Sequence, residues 1–77
     1  MRGVARQIRS LVAAKFGVDE AVLRPHVDLS DDLGADSLDL VELLIAIEGL
    51  FEIRIPDEDF AELQTLDEVT GYVAARL

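Results

Sequence analysis

Apolar residues recur at helical spacing in two long stretches of the chain. Over residues 4–16 they are three or four positions apart and form one face of an amphipathic helix. Gly17 is a natural stop for this helix, because glycine readily takes the left-handed cap conformation. Residues 37–51 form a second helix behind Asp36, its predicted N-cap. The wide apolar face of this second helix is predicted to carry Leu40, Val41, Leu43, Leu44, Ile47 and Phe51.

The C-terminal third of the chain carries two further helix signals. Acidic residues 57–59 follow Pro56 and suit the dipole of a short third helix. Residues 65–68 read Thr-Leu-Asp-Glu, which is a capping box and predicts the start of a last helix. The inward face of that helix is predicted to carry Leu66, Val69, Val73 and Leu77. Since no stretch alternates apolar and polar residues, the expected fold is all-α. It is a four-helix bundle with three longer helices, one short third helix and a long loop between helices 1 and 2.

Length and composition narrow the class of protein. A chain of 77 residues is expected to form a single domain, 1–77. It has no cysteine, so neither disulfides nor a Cys-ligated metal site can stabilise it. It lacks both an apolar run of about 18 residues, which a membrane span needs, and the apolar block of a signal peptide. A cytoplasmic, monomeric protein without membrane insertion is therefore expected.

The net charge of -9 is unevenly distributed. Residues 1–27 hold five basic residues, including Arg2, and two acids, whereas residues 28–77 hold fourteen acids and two arginines. The acidic part argues against nucleic acid and anionic membranes. It favours protein partners with basic patches, which electrostatic steering would bring in. Charge alone leaves open that the acids only keep a small protein soluble.

Catalytic and metal-binding patterns are weak. His26 is the only histidine, and nothing in its spacing supports a triad with Ser37, so the chain is not expected to be an enzyme. An EF-hand loop beginning at Asp28 would have Leu33 where glycine is required. A loop beginning at Asp57 lacks an oxygen ligand at its fifth position. No metal site is therefore expected.

Ser37 stands where a glycine turn becomes the second helix. A serine at this position can simply cap the helix. Alternatively, another enzyme can modify its hydroxyl, because a helix N-terminus favours an attached phosphate. The position by itself leaves both interpretations open.

Three segments carry a family resemblance: Leu33–Asp39, Val41–Leu43 and Ile55–Glu58. Together they closely resemble the acyl carrier proteins, and the match runs from about Leu29 to Tyr72. The resemblance implies that a phosphopantetheinyl transferase attaches 4'-phosphopantetheine from coenzyme A to Ser37. Acyl chains would then travel as thioesters on that arm between acyl transferase, ketosynthase and other pathway enzymes.

The resemblance also implies roles for two sets of residues. Residues of the second helix match positions that dock basic patches on partner enzymes, and this docking set comprises Asp36, Asp39, Glu42, Ile45 and Glu48. Part of the apolar core would open to hold the acyl chain. The candidates for core or acyl pocket, which spacing does not separate, are Leu40, Leu43, Leu44, Ile47, Ile55, Phe60, Leu63 and Val69.

Some residues depart from the pattern of fatty-acid carriers. Gly49 and Leu50 stand where further acids are usual, Arg54 replaces a common acid, and Phe60 is bulkier than usual. The resemblance as a whole predicts a carrier for fatty-acid synthesis, and these departures make a dedicated polyketide or other secondary-metabolite carrier the alternative. A further alternative from another class is an acidic helical adaptor that is never modified.

Overall fold

The computed structural model describes residues 3–77, so Arg2 of the basic N-terminal region lies outside it. Within residues 3–77 the chain forms four α-helices: α1 (Val4–Phe16), α2 (Ser37–Phe51), α3 (Asp57–Phe60) and α4 (Leu66–Ala74). The connection between α1 and α2 contains a short 3₁₀ helix, Glu20–Val22. No strand forms in this part of the chain beyond an isolated bridge between Asp28 and Thr65. The predicted all-α fold is confirmed.

The hydrophobic core lies where α1 meets α2 and α4. Its fully buried side chains come from all three of these helices and from the long connection. They are Ile8, Val12, Leu29, Leu43, Ile47, Val69 and Val73. Because Leu29 is 1% exposed, the connection between α1 and α2 contributes to the core. Within residues 3–77, none of the helices combines the length and the apolar character needed to cross a membrane.

Local capping explains where the helices begin and end. Gly17 ends α1 with a φ of 66°, a left-handed conformation that costs glycine little. Thr65 begins α4, since its hydroxyl accepts a hydrogen bond from the Glu68 amide while the Glu68 carboxylate accepts one from the Thr65 amide. Glu52 is the C-cap that follows α2, and its φ of 57° is unusual for a residue other than glycine. The predicted caps at Gly17 and Thr65 are confirmed.

Backbone hydrogen bonds fasten the long connection to the beginning of α4. The Leu66 amide donates to the Val27 carbonyl at 3.0 Å, and the Asp67 amide donates to the Pro25 carbonyl at 2.8 Å. These two amides belong to the first turn of α4, where N–H groups have no acceptor inside the helix. The connection therefore supplies acceptors for two backbone donors of α4, and these hydrogen bonds hold the connection in place. The turn that leads into α2 is positioned in this way.

Two apolar residues, Val41 of the wide apolar face of α2 and Leu77, which was predicted to face inward, are exposed. Val41 is 51% exposed, because the apolar residues of α2 cover more of its circumference than α1 and the rest of the core can bury. Leu77 is 63% exposed, because α4 ends at Ala74 and the last residues leave the helical face. The inward prediction for Leu77 was wrong. Helical spacing indicates on which side of a helix a residue lies, but it indicates neither how wide the buried face is nor where the helix ends.

We expect Gly49→Ala to raise the free energy of unfolding by about 0.5–1 kcal/mol, the usual cost of glycine inside a helix. Gly49 lies within α2, and a Cβ atom added there meets nothing within 4 Å. Urea denaturation followed by circular dichroism measures the change. An unchanged or lower stability would show that the end of α2 is frayed in solution.

Gly34→Ala is the matched control, because a Cβ atom there also meets nothing within 4 Å. The φ of Gly34 is 71°, a left-handed conformation that disfavours alanine by about 1–2 kcal/mol. We therefore expect the opposite sign, a lower free energy of unfolding, from the same glycine-to-alanine change.

Candidate functional site

Two aspartates organise the beginning of α2. The Asp36 carboxylate accepts a hydrogen bond from the Asp39 amide at 2.8 Å. In return, the Asp39 carboxylate accepts one from the Asp36 amide at 3.1 Å. This reciprocal pair is a capping box, an arrangement that satisfies two backbone donors at once. The prediction that Asp36 caps α2 is confirmed.

Ser37 is the first residue of α2, and it is exposed. Asp36, and not Ser37, supplies the side-chain cap, so the capping interpretation of this serine loses its structural basis. The turn before it passes through Gly34, which has the left-handed conformation. The turn is closed by a hydrogen bond that the Ala35 amide donates to the Leu29 carbonyl. The chain thus presents one serine hydroxyl at a rigidly built helix N-terminus.

A mainly apolar groove of about 310 Å³ runs beside Ser37, between α2 and α3. Its lining includes four of the eight candidates for core or acyl pocket, namely Leu40, Leu44, Phe60 and Leu63. The exposed Val41 and Ala61 complete the apolar part of its wall. A flexible group attached to Ser37 would therefore have an apolar surface within its immediate reach.

The other four candidates lie deeper in the molecule. They are 0–4% exposed and belong to the hydrophobic core: Leu43, Ile47, Ile55 and Val69. The structure therefore places four candidates along the groove next to Ser37 and four behind it, although Leu44 and Phe60 of the groove are also buried in the core.

The acids of the docking set each have a partner inside the molecule. Beyond the capping pair, Asp39 and Glu42 both contact the ammonium group of Lys15 at the last turn of α1. The distance from Lys15 Nζ to Asp39 Oδ1 is 3.7 Å, and Nζ also donates a hydrogen bond to Glu42 Oε1. That hydrogen bond raises the pKa of Lys15, so its ammonium group stays charged throughout the neutral range.

Glu48 and Ile45 occupy different environments in the docking set. The half-buried Glu48 accepts a hydrogen bond from the Ile55 amide at 2.8 Å and so holds the turn between α2 and α3. Ile45 is 61% exposed and offers an apolar contact. Leu38 is 64% exposed on the same helix, beside Ser37. Sequence reasoning missed Leu38 and Lys15, although an apolar residue directly after the serine was a visible signal.

In the part of the chain that it describes, the structure brings no further side chains to the weak candidates for a catalytic or metal site, His26 and Asp28. His26 is an exposed residue in a turn. Asp28 instead stabilises its own loop, because its carboxylate accepts hydrogen bonds from the Ser30 and Asp31 amides at 2.9 and 2.8 Å. Among residues 3–77, no three His, Cys, Asp or Glu side chains are grouped so that they could hold a metal ion.

A side-chain cluster fastens α3, one wall of the groove, to α4. The Tyr72 hydroxyl donates a hydrogen bond to Asp59 Oδ2 at 2.7 Å. The Arg76 guanidinium lies 3.5 Å from the centre of the Tyr72 ring and 3.7 Å from Asp59. Since α3 is only four residues long and an isolated helix of that length is unstable, these contacts help to hold it in place.

Comparisons with known proteins agree with this geometry. A family model described as "Phosphopantetheine attachment site" matches residues 6–73. The acyl carrier protein of Syntrophobacter fumaroxidans is 43% identical over 68 residues, which are 88% of this chain and 84% of that protein. The solution structure of a chain assigned as an acyl carrier protein, from Anaplasma phagocytophilum, superposes with a TM-score of 0.87 at 29% identity. That match covers 95% of this chain and 86% of the other.

The chain therefore belongs to the acyl carrier protein family, as the resemblance in its sequence predicted. Its cofactor is 4'-phosphopantetheine, the group that this family attaches covalently. Proteins of this family carry acyl intermediates, and this chain is such a carrier.

The tyrosine of the α3 cluster provides a titration test of that cluster. Partial burial and the hydrogen bond to Asp59 raise the pKa of Tyr72 above its usual value of about 10. Tyr72 is the only tyrosine, so phenolate absorbance during a pH titration reports this group alone. We expect a midpoint above that of the urea-unfolded chain, and a lower midpoint in Asp59→Ala.

The same shift predicts how stability changes with pH. Because the pKa of Tyr72 is higher in the folded state, its contribution to stability is complete below the unfolded pKa of about 10. The contribution is lost as the pH rises through the folded pKa. A folded midpoint equal to or below the unfolded one would contradict the hydrogen bond between Tyr72 and Asp59.

Proposed function

We propose that Ser37 is the attachment site of 4'-phosphopantetheine and that the chain acts as a carrier without catalysing a step itself. The observation that carries this proposal is the exposed Ser37 hydroxyl at the start of α2, in a helix that Asp36 already caps. No other serine of the matched region follows a glycine turn and opens a long helix. When bound, the group supplies a terminal thiol that holds acyl chains as thioesters, and the chain has no cysteine to do so.

The first turn of α2 suits the phosphodiester that joins such a group to a serine. Of the four N–H groups that a helix N-terminus leaves without an intrahelical acceptor, here those of residues 36–39, the Asp36 and Asp39 amides donate to each other's carboxylates. The Ser37 and Leu38 amides have no acceptor within residues 3–77. Two backbone donors and the positive end of the helix dipole are thus available beside the Ser37 hydroxyl. The groove between α2 and α3 then offers an apolar surface for the chain that the arm carries.

The docking set lies on the same helix as Ser37 and is proposed to meet the basic patches of partner enzymes. These partners are a phosphopantetheinyl transferase, an acyl transferase, a ketosynthase and other enzymes of the pathway. Asp36, Asp39, Glu42 and Glu48 supply charge, and the exposed Ile45 supplies an apolar contact. Charged contacts favour rapid association and exchange, which a carrier with several partners needs. The proposed setting is the cytoplasm, with residues 1–77 acting as one monomeric domain.

A second candidate within the same class is a carrier dedicated to a polyketide or other secondary-metabolite pathway. The C-terminal end of α2 favours it, since Leu50 is 49% exposed and Gly49 and Arg54 are exposed beside it. A ketosynthase that recognises this end would meet an apolar and a basic group in addition to the exposed Glu52. The fatty-acid assignment is preferred because it is what the family match supports.

Intact-mass analysis tests the attachment site. After incubation with a phosphopantetheinyl transferase and coenzyme A, we expect wild type to gain the mass of one phosphopantetheine group and Ser37→Ala to gain none. Ser30→Ala, which changes an exposed serine of the preceding loop, is the matched control and should be modified like wild type. An unmodified wild type would favour the acidic adaptor, and a modified Ser37→Ala would place the attachment elsewhere.

Loading assays test the pathway. We expect the modified protein to be used faster by a fatty-acid ketosynthase than by a polyketide ketosynthase, measured as acyl transfer at equal enzyme concentration. Leu50→Glu, which places an acid at the exposed end of α2, should raise the rate with the fatty-acid enzyme. Faster transfer to the polyketide enzyme by wild type would reverse the assignment.

A further inference from the structure

The docking surface contains an internal positive charge. Lys15 reaches from the last turn of α1 to two of the four docking acids, Asp39 and Glu42. Its own side chain is 23% exposed, whereas those of Asp39 and Glu42 are 36% and 50% exposed. The two acids are therefore accessible to a partner, but they already have a cation beside them.

The other two docking acids are engaged differently. Asp36 and Glu48 accept hydrogen bonds from backbone amides, those of Asp39 and Ile55. An amide donor is neutral, so these carboxylates keep their full negative charge towards a partner. Lys15, in contrast, offsets the charge of Asp39 and Glu42, which lie two and five residues after Ser37. The screening is thus confined to the middle of the docking set, between Asp36 and Glu48.

We propose that Lys15 is a competing counter-ion, which a lysine or arginine of a partner enzyme must displace from Asp39 and Glu42 before it can pair with them. The proposal rests on the proposed function, because it concerns the same docking surface. Because Lys15 must first be displaced, a basic partner binds with lower affinity and associates more slowly than it would if Lys15 were absent. The presence of Lys15 also favours release of the partner, because its ammonium group returns to the two acids as the partner leaves.

A purely structural role for Lys15 is the competing explanation. An ion pair between α1 and α2 at the surface stabilises a fold only slightly. The core residues Ile8, Val12, Leu43 and Ile47 already join these helices and are completely buried. A structural role predicts a change in stability with no change in partner affinity, so the two explanations differ in a measurable quantity.

The test compares Lys15→Gln with Arg24→Gln as a matched control. Arg24 is exposed in the connection between α1 and α2 and forms no ion pair within residues 3–77. Both variants lose one positive charge, so they share the same net charge. Binding of the unmodified protein to a phosphopantetheinyl transferase with a basic docking patch is measured by surface plasmon resonance at low and at physiological salt. Melting curves establish a temperature at which every variant is folded.

We expect Lys15→Gln to bind with a Kd about two- to five-fold lower than wild type, the range for one competing exposed ion pair. Its association rate should rise, and the gain should shrink with added salt. Arg24→Gln should shift the Kd less than Lys15→Gln does, and Lys15→Arg should restore wild-type binding. Equal shifts in Lys15→Gln and Arg24→Gln would overturn the proposal, as would weaker binding of Lys15→Gln, which would mean that Lys15 itself contacts the partner.

The outcome also separates this proposal from the proposed function. If the transferase modifies wild type but not Ser37→Ala while Lys15→Gln and Arg24→Gln bind equally, only the role of Lys15 is refuted. If the transferase neither binds nor modifies wild type, the carrier function itself fails.

Discussion

The reciprocal hydrogen bonds between Asp36 and Asp39 are the constraint on which the site depends. They determine where α2 begins, and they satisfy two backbone donors with side chains that flank Ser37. Because Asp36 performs the capping, the Ser37 hydroxyl has no structural task and stays exposed. The same pair places two carboxylates beside that hydroxyl. The beginning of the helix, the exposed Ser37 hydroxyl and two carboxylates beside it therefore follow from one local arrangement.

A second constraint keeps that arrangement in place. The connection between α1 and α2 is long, and a floppy loop would leave the start of α2 poorly positioned. Here its carbonyl groups accept hydrogen bonds from the first amides of α4, and Leu29 is buried in the core. Each such hydrogen bond contributes roughly 0.5–1.5 kcal/mol net, and a buried leucine adds about 1.5–3 kcal/mol. The connection is thus part of the folded unit, and Ser37 is presented by a rigid support.

The features that could be predicted from the sequence are those determined by neighbouring residues. Gly17 determines the end of α1, and Asp36 determines the beginning of α2. The beginning of α4 follows from the Thr65 capping box. What could not be predicted depends on residues distant in the chain. The contact of Lys15 with Glu42 spans 27 positions and exists only because α1 crosses the beginning of α2. The exposure of Val41 likewise depends on how much of α2 its neighbours cover.

On the proposed docking surface, the intramolecular partners of the four acids are of two kinds. Backbone amides hold Asp36 and Glu48 in position, so a partner loses little side-chain entropy when it pairs with them. Lys15 lies beside Asp39 and Glu42, and in the proposed role it must be exchanged for the partner's cation. The fixed carboxylates would therefore orient a partner near Ser37, while Lys15 would limit the affinity of that partner. A carrier that must leave each enzyme after each step needs both properties on one helix.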